Sequence, residues 1–377
     1  MRLLIERSEL LRVLGHVTSV VERRTTVPLL SNVLLRATPG NLALKGTDLE
    51  REVIETAAAD VEQPGATTVS AHMIHDIVRK LPDGMQVVLD TGGADGKRLT
   101  VSAGSSRFFL PVLPGDEFPD LSAGAMPHEF ELPARDVKRL IEKTRFAIST
   151  EETRYYLNGI YMHVHAAGGG EGGPPMLRAV ATDGHRLALV ELPAPAGSED
   201  MPGVIVPRKT VHELHRLIED SDTPLTVALS PSKVQFRIGT VVMTSKLIDG
   251  SFPDYQRVIP QGNNKVLNVA NADFATAVDR VSTVSTDRGR AVKLNIEQER
   301  LTLTVTNPDG GSATEEVVVD YNADPLEIGF NARYLLDISS QLESDTVHFF
   351  FADPGSPTTV RDGDDRSALY VLMPMRV

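Results

Sequence analysis

At 377 residues, 41% hydrophobic and with a formal charge of -13, the chain is long enough for two or three domains, and its overall acidity argues against uniform attraction to nucleic acid. It contains no cysteine, which excludes disulfides, thiolate metal sites and a cysteine nucleophile and fits a reducing compartment. The N-terminus MRLLIERSELLRVLGHV carries Arg2, Glu6, Arg7, Glu9 and Arg12 among its apolar residues, so neither a signal-peptide core nor a membrane span is expected there, and the location is expected to be cytoplasmic.

Taken in chain order, the first predicted element is an amphipathic helix, SELLRVLGHVTSVV from Ser8. A strand, LALKGTD at 42–48, then runs into a turn that an Asp side chain can hold, and VSAHMIHDIVRKL from Val69 begins a second helix with Ser70 at its first position. The polar, proline-bearing PGDEFPDLSAGAMPHE at 114–129 reads as a linker. The same succession then returns, with the helix PARDVKRLIEKTRFAI from Pro133, the strand and turn LRAVATD at 177–183, and the helix VPRKTVHELHRLI from Val206 led by Pro207. A second linker, DGSFPDYQRVIPQGNN at 249–264, is also built around FPD. It leads to NADFATAVDRVSTV from Asn271, LTLTVTN at 301–307, and FNARYLLDISSQL from Phe330 with Asn331 in the capping position.

The turns at Thr47, Thr182 and Thr306 are 135 and 124 residues apart, and the helix starts at Ser70, Pro207 and Asn331 are 137 and 124 apart. A period of that length is a domain rather than a solenoid repeat. The expected class is therefore α+β, with three similar domains at 1–127, 128–254 and 255–377, each of two helices and about eight short strands. The middle copy is longer by a glycine-rich run, AAGGGEGGPP at 166–175, which reads as a hairpin insertion. No Lys-Ser/Thr pair follows it, so it does not match a phosphate-cradling loop.

Charge is unevenly distributed over this repeat. In the helix from Pro133, Val137, Leu140, Ile141, Thr144 and Ile148 form an apolar stripe, leaving Arg135, Lys138, Arg139 and Glu142 on another face. The helix from Pro207 buries Val211, Leu214 and Ile218 and leaves Arg208, Lys209, His212 and Arg216 outward. The six helical segments together carry +6, so the rest of the chain carries -19. Basic helices beside acidic strands and loops suit contact with a polyanion.

Candidate chemistry is weaker. HELH at 212–215 is one residue short of the zinc-protease spacing. His163 and His165 share a strand face but lack a third metal ligand, and Asp362, Asp364 and Asp365 flank a glycine as in a hairpin turn. In VATDGHRLALVELP at 180–193, Asp183, Gly184, His185 and Arg186 resemble a catalytic cluster, yet no GxSxG nucleophile elbow is present. The corresponding turns read TDLER and TNPDG, without histidine, so the turn belongs to the repeat, while His185, Arg186 and Leu187 set the middle copy apart. A hydrolytic or metal-dependent enzyme on a repeated α+β scaffold remains the alternative reading.

Several segments together resemble one family: RYYLNG at 154–159, VATDGHRLA at 180–188, VIVPRK at 204–209, SKLIDGSFPDYQRVIP at 245–260, IGFN at 328–331 and YVLMPMR at 370–376. The family is the bacterial DNA sliding clamp, the beta subunit of DNA polymerase III, and the resemblance runs the length of the chain. It implies a clamp fold of three similar domains, helices on the inner face and antiparallel sheets outside, with two chains closed head-to-tail into a ring around duplex DNA. It implies a non-catalytic processivity factor, with no cofactor and no metal, that slides on DNA without sequence specificity. Its implied partners are DNA, a second copy of the chain, the replicative polymerase, the clamp loader, and other polymerases and repair proteins carrying short apolar peptide motifs.

The resemblance also assigns residues. Arg24, Arg208, Lys209, Tyr155 and Tyr156 match DNA-facing positions, to which helical spacing adds Arg135, Lys138 and Arg139; Glu151 is acidic where the family's DNA-facing residue is expected to be uncharged. Phe108 and Leu110 would meet Thr283 and Val284 across the dimer interface. A partner-peptide cleft between domains 2 and 3 would comprise Arg154, Tyr156, Leu157, Gly159, Thr182, Gly184, His185, Leu187, Pro253 and Val258. From the third copy it would take Asn331, Tyr334, Val371, Met373, Pro374, Met375 and Arg376. The facing loop DPGSP at 353–357 has Pro354 and Pro357 where the family usually has other residues.

Overall fold

A computed structural model of the chain describes residues 1–92, 97–121, 124–165, 173–285, 291–307, 310–363 and 365–376. Most of the glycine-rich insertion, at 166–172, and Asp364 lie outside the described residues. Among the described residues, six α-helices form where the 3.6-residue spacing predicts them, two per repeat. They are α1 (Arg7–Val17), α2 (Ala71–Lys80), α3 (Ala134–Arg145), α4 (Arg208–Leu217), α5 (Asn271–Ser282) and α6 (Ala332–Ser339). The apolar stripes are buried as expected: Val137, Leu140, Ile141 and Thr144 in α3, and Val211 and Leu214 in α4. Asn331 caps α6 by accepting from the Arg333 amide at 2.9 Å, whereas Ser70 makes no such side-chain bond at α2.

The strands form three antiparallel sheets, among the described residues, of thirteen, nine and four strands. Their sequences alternate in burial, as in Ala291–Glu297, where Val292, Leu294 and Ile296 point inward. The chain divides into two compact units. The first comprises Met1–Lys138, Pro195–Met201 and Lys209–Leu247, and the second Arg139–Ala194, Pro202–Arg208 and Ile248–Val377. The thirteen-stranded sheet lies in the first unit and the other two sheets in the second.

Each unit contains a joint at which a strand of one repeat pairs with the last strand of the next. In the first unit Arg51–Ala58 pairs with Val241–Lys246, placing Arg51 opposite Ser245. In the second, Arg186–Pro193 pairs with Asp365–Leu372, placing Arg186 opposite Leu372. Both FPD segments, expected as linkers, are anchored by buried side chains: Phe118 and Leu121 in the first, Tyr255 in the second. At the Asp-rich VRDGDDR, Thr358–Asp362 pairs antiparallel with Asp365–Leu372, placing Asp362 opposite Asp365, and Asp362 accepts the amides of Glu343 and Ser344.

Candidate functional site

The turn after Met176–Thr182 is held by its own side chains. The Thr182 hydroxyl donates to the Arg186 carbonyl at 2.7 Å and accepts the Gly184 amide at 3.1 Å. Asp183 accepts the amides of His185 at 2.9 Å and Arg186 at 3.0 Å. Gly184 has φ 90°, a backbone conformation that calls for glycine, and the Arg154 guanidinium packs over it, 2.5 Å from where a Cβ would stand. Arg186, 9% exposed, bonds Asp183 through Nε at 3.1 Å, Asp337 through Nη1 at 2.6 Å and the Phe146 carbonyl through Nη2 at 2.6 Å. Its guanidinium also lies 4.3 Å from the centre of the Tyr334 ring. Asp183 is thus committed to a turn and a buried cation, not to activating a nucleophile.

The expectation that Arg186 is peculiar to the middle copy is corrected by the first unit. There the Thr47 hydroxyl donates to the Arg51 carbonyl at 2.7 Å, Asp48 accepts the amides of Glu50 and Arg51, and Arg51 ion-pairs with Asp48 at 2.5 Å. TDLER and TDGHR build the same device, with Leu49 at φ 73° in the place of Gly184. Of the three residues that the sequence singled out, His185 and Leu187 have different counterparts in the first copy, Glu50 and Glu52.

Two hollows flank Arg186. The smaller, about 210 Å³, is largely apolar. Its floor belongs to a buried cluster of Val180, Leu187, Leu189, Tyr255 and Val371, and its walls include Leu157, Thr182, Gly184, Pro253, Val258 and Met373. Backbone bonds fix the wall that follows the last strand: Met373 donates to the His185 carbonyl at 2.9 Å and Met375 to the Gly329 carbonyl at 2.8 Å. Tyr255 enters from the short 3-10 helix Tyr255–Val258, its hydroxyl 2.9 Å from His163 Nε2 and 3.4 Å from Arg178, which pairs with Glu191 at 2.8 Å. Burial lowers the His163 pKa below the ordinary histidine range, favouring the neutral ring.

The larger hollow, about 430 Å³, is charged, with Arg145, Arg208 and Arg333 alongside Glu151, Asp183 and His185. Glu151 pairs with Arg154 at 2.8 Å, and the hydrogen bond from Arg154 holds its carboxyl below the usual range. Burial raises the Tyr334 phenol. The ring centroids of His163 and His165 are 6.5 Å apart, and His163 Nε2 is engaged by the Tyr255 hydroxyl. Among the described residues no group of three or more histidines and carboxylates could hold a metal ion.

The expected cleft residues divide between these hollows. Leu157, Thr182, Gly184, Leu187, Pro253, Val258, Val371 and Met373 line the apolar one, and His185, Asn331 and Tyr334 the charged one. Arg154 packs over Gly184, half-buried Tyr156 packs edge-on to Tyr155, and Met375 and Arg376 are exposed beside half-buried Pro374. Gly159 serves packing: it pairs with Pro207, and a Cβ would collide with the Val206 carbonyl. Sequence reasoning missed Arg186, Asp254 and Tyr255 as lining residues. The Arg in both TDLER and TDGHR, and an aromatic residue directly after FPD, were the available signals.

Arg24, in the bend that follows Thr18–Val20, is exposed, as are Arg208 and Lys209 on α4 and Arg135 on α3, which pairs with Asp222 at 2.6 Å; Lys209 faces Glu22 at 3.2 Å. Tyr155 is exposed and Lys138 half-exposed. Arg139 departs from the exposed stripe, because its guanidinium turns to Asp365 and Ser367, each at 2.6 Å. Phe108 lines a third hollow beside α2. Leu110 departs from the expectation of an interface contact: it is 4% exposed within its own core, while the strand alternation turns Phe109 outward. Thr283 is exposed at the end of α5, and half-buried Val284 accepts from Asn307 through its carbonyl.

Three family models match the chain in succession: the DNA polymerase III beta subunit N-terminal domain over residues 1–122, its central domain over 131–254 and its C-terminal domain over 256–376. The chain belongs to the DNA polymerase III beta subunit, or sliding clamp, family. The beta sliding clamp of Caulobacter vibrioides strain NA1000 is 54% identical over 377 residues, and that of Escherichia coli K12 39% identical over 380, each pair covered in full. Among solved structures, a DnaN sliding clamp from Bartonella birtlesii bound to griselimycin matches with a TM-score of 0.96 at 51% identity, covering 100% of both chains. A C. crescentus clamp with PEG bound to a putative beta-motif tethering region also gives 0.96, at 54% identity, covering 100% of this chain and 99% of that one. The chain is accordingly a non-catalytic processivity factor of DNA polymerase III, and the enzyme reading is not supported. Its family implies partnership with DNA and the polymerase and assembly as a homodimer.

Proposed function

We propose that two copies of the chain close into a ring around duplex DNA in the cytoplasm, and that partners dock by short peptides against the turn Thr182–Leu187. The domains of this ring are 1–127, 128–254 and 255–377, a division supported by the three family-model segments. Exposed Arg24, Arg135, Arg208 and Lys209, with Lys138 and the Tyr155–Tyr156 pair, face the DNA, giving interchangeable phosphate contacts that permit sliding. Phe108, Thr283 and Val284 contribute to the dimer interface. Polymerase, clamp loader and repair proteins share the dock, because flexible Met373 and Met375 repack around different apolar anchors.

The observation that carries the dock is the apolar hollow of about 210 Å³ beside a charged one, with backbone-fixed walls. Apolar anchors gain affinity in the first, and polar groups such as His185 and Asn331 set peptide direction in the second. Calorimetric titration with griselimycin, the ligand of the Bartonella relative, tests the site. Deleting Met373 to Val377 is expected to abolish binding while leaving the dimer mass unchanged by light scattering; undiminished affinity would refute the assignment. For the ring, protein loaded on closed circular DNA should run off when the circle is cut, and retention unchanged by cutting would refute encirclement.

A further inference from the structure

The two inter-repeat joints share their backbone to the level of single hydrogen bonds. Thr47 and Thr182 each donate to an arginine carbonyl at 2.7 Å. Lys246 donates to the Glu50 carbonyl at 2.9 Å, as Met373 does to that of His185. The cross-strand registers agree as well, with Lys45 opposite Ile54 and Val180 opposite Leu189. Position by position, Val180, Leu187 and Val371 of the apolar cluster under the hollow become Lys45, Glu52 and Thr244 in the first unit.

There the side chains occupy one another. Lys45 bonds Glu52 at 2.8 Å and Asp120 of the first FPD segment at 2.8 Å, and Glu52, 3% exposed, also accepts the Leu121 amide at 2.9 Å. Leu49, 45% exposed and at φ 73°, stands in the place of Gly184. An L-residue other than Asn or Asp seldom adopts that conformation, so the backbone has kept the turn although the side chain no longer suits it.

We infer that the first unit holds a second copy of the docking scaffold, closed by the Lys45–Glu52 pair, and that Lys45 and Glu52 are the specificity determinants that restrict each chain to one peptide dock. This rests on the docking reading of the second unit. A largely buried pair tied to a second carboxylate and a backbone amide leaves no apolar floor for an anchor to cover. Opening it would leave polar groups unpaired. Partners carrying one motif therefore meet one site per chain, although the fold builds the supporting turn twice.

The test gives the first unit the side chains of the second: Lys45→Val, Leu49→Gly, Glu52→Leu, Thr244→Val and Lys246→Met in the full-length protein, titrated with griselimycin. Stoichiometry should rise from one to two per chain. A variant that keeps its first site and stays at one would overturn the inference, since side chains would then not be what closes the scaffold. The reciprocal pair, Val180→Lys with Leu187→Glu, needs no ligand. It should melt above either single variant, because the second unit can accommodate the ion pair in the same register. A double variant melting no higher than its worse single would equally overturn it. Failure of the docking reading would show differently, as wild-type protein that binds no griselimycin or binds it undiminished without Met373 to Val377.

Discussion

The two hollows on either side of Arg186 differ in the opposite sense from their sizes. The charged one is about 430 Å³ and the apolar one about 210 Å³. A wide hollow rimmed by arginines and carboxylates stays hydrated and returns little when filled. A narrow one floored by Leu187, Val371 and Tyr255 gains free energy for each apolar group it covers. The chemistry of the lining, not volume, distinguishes the two hollows, and Arg186, which lines both, is the wall between them.

Removing that wall should have the largest effect. Arg186→Ala removes the bonds to Asp183, Asp337 and the Phe146 carbonyl and is expected to destabilise the protein by roughly 4 kcal/mol in urea unfolding, with griselimycin binding lost alongside. A change under 1 kcal/mol would mean that the two hollows do not depend on it. Truncating the apolar floor comes next: Leu187→Ala should cost about 3 kcal/mol in stability and weaken griselimycin at least tenfold. His185→Ala, on the charged side, should leave stability within about 0.5 kcal/mol and weaken griselimycin by only a few-fold. Equal losses in the two variants would erase the distinction between the hollows.

The smallest effect concerns pH. His163 has a folded pKa below its ordinary 6.5, chiefly through burial. The unfolded chain therefore binds more protons in that range, and stability falls as pH drops from about 6.5 toward the folded value. His163→Gln should flatten this part of the urea-midpoint profile. An unchanged slope would show that the Tyr255 anchor is insensitive to the protonation of His163.

What could be read from the sequence follows the range of the interactions. Helix spacing placed the six helices found among the described residues, and the Thr-Asp turn was legible because its bonds span four residues or fewer. The pairing of Arg51–Ala58 with Val241–Lys246 was not, since its partners are far apart and any alternating strand fits the pattern. Arg186 was undervalued for the same reason: Asp337 and Phe146 come from α6 and the end of α3 and reach it only on folding. Gly159 lies within a recognised motif, but the close Val206 carbonyl accounts for it by packing. Arg139 fits its helical spacing and Leu110 matches a family position, yet an ion pair engages one and the core encloses the other.

The most direct measurement is a crystal structure of this chain with griselimycin. The ligand is expected against Leu187, Val371, Met373 and Tyr255 in the apolar hollow, on the side that faces His185. Density confined to the charged hollow between Arg208 and Arg333, with the apolar hollow unfilled, would contradict the assignment of the dock.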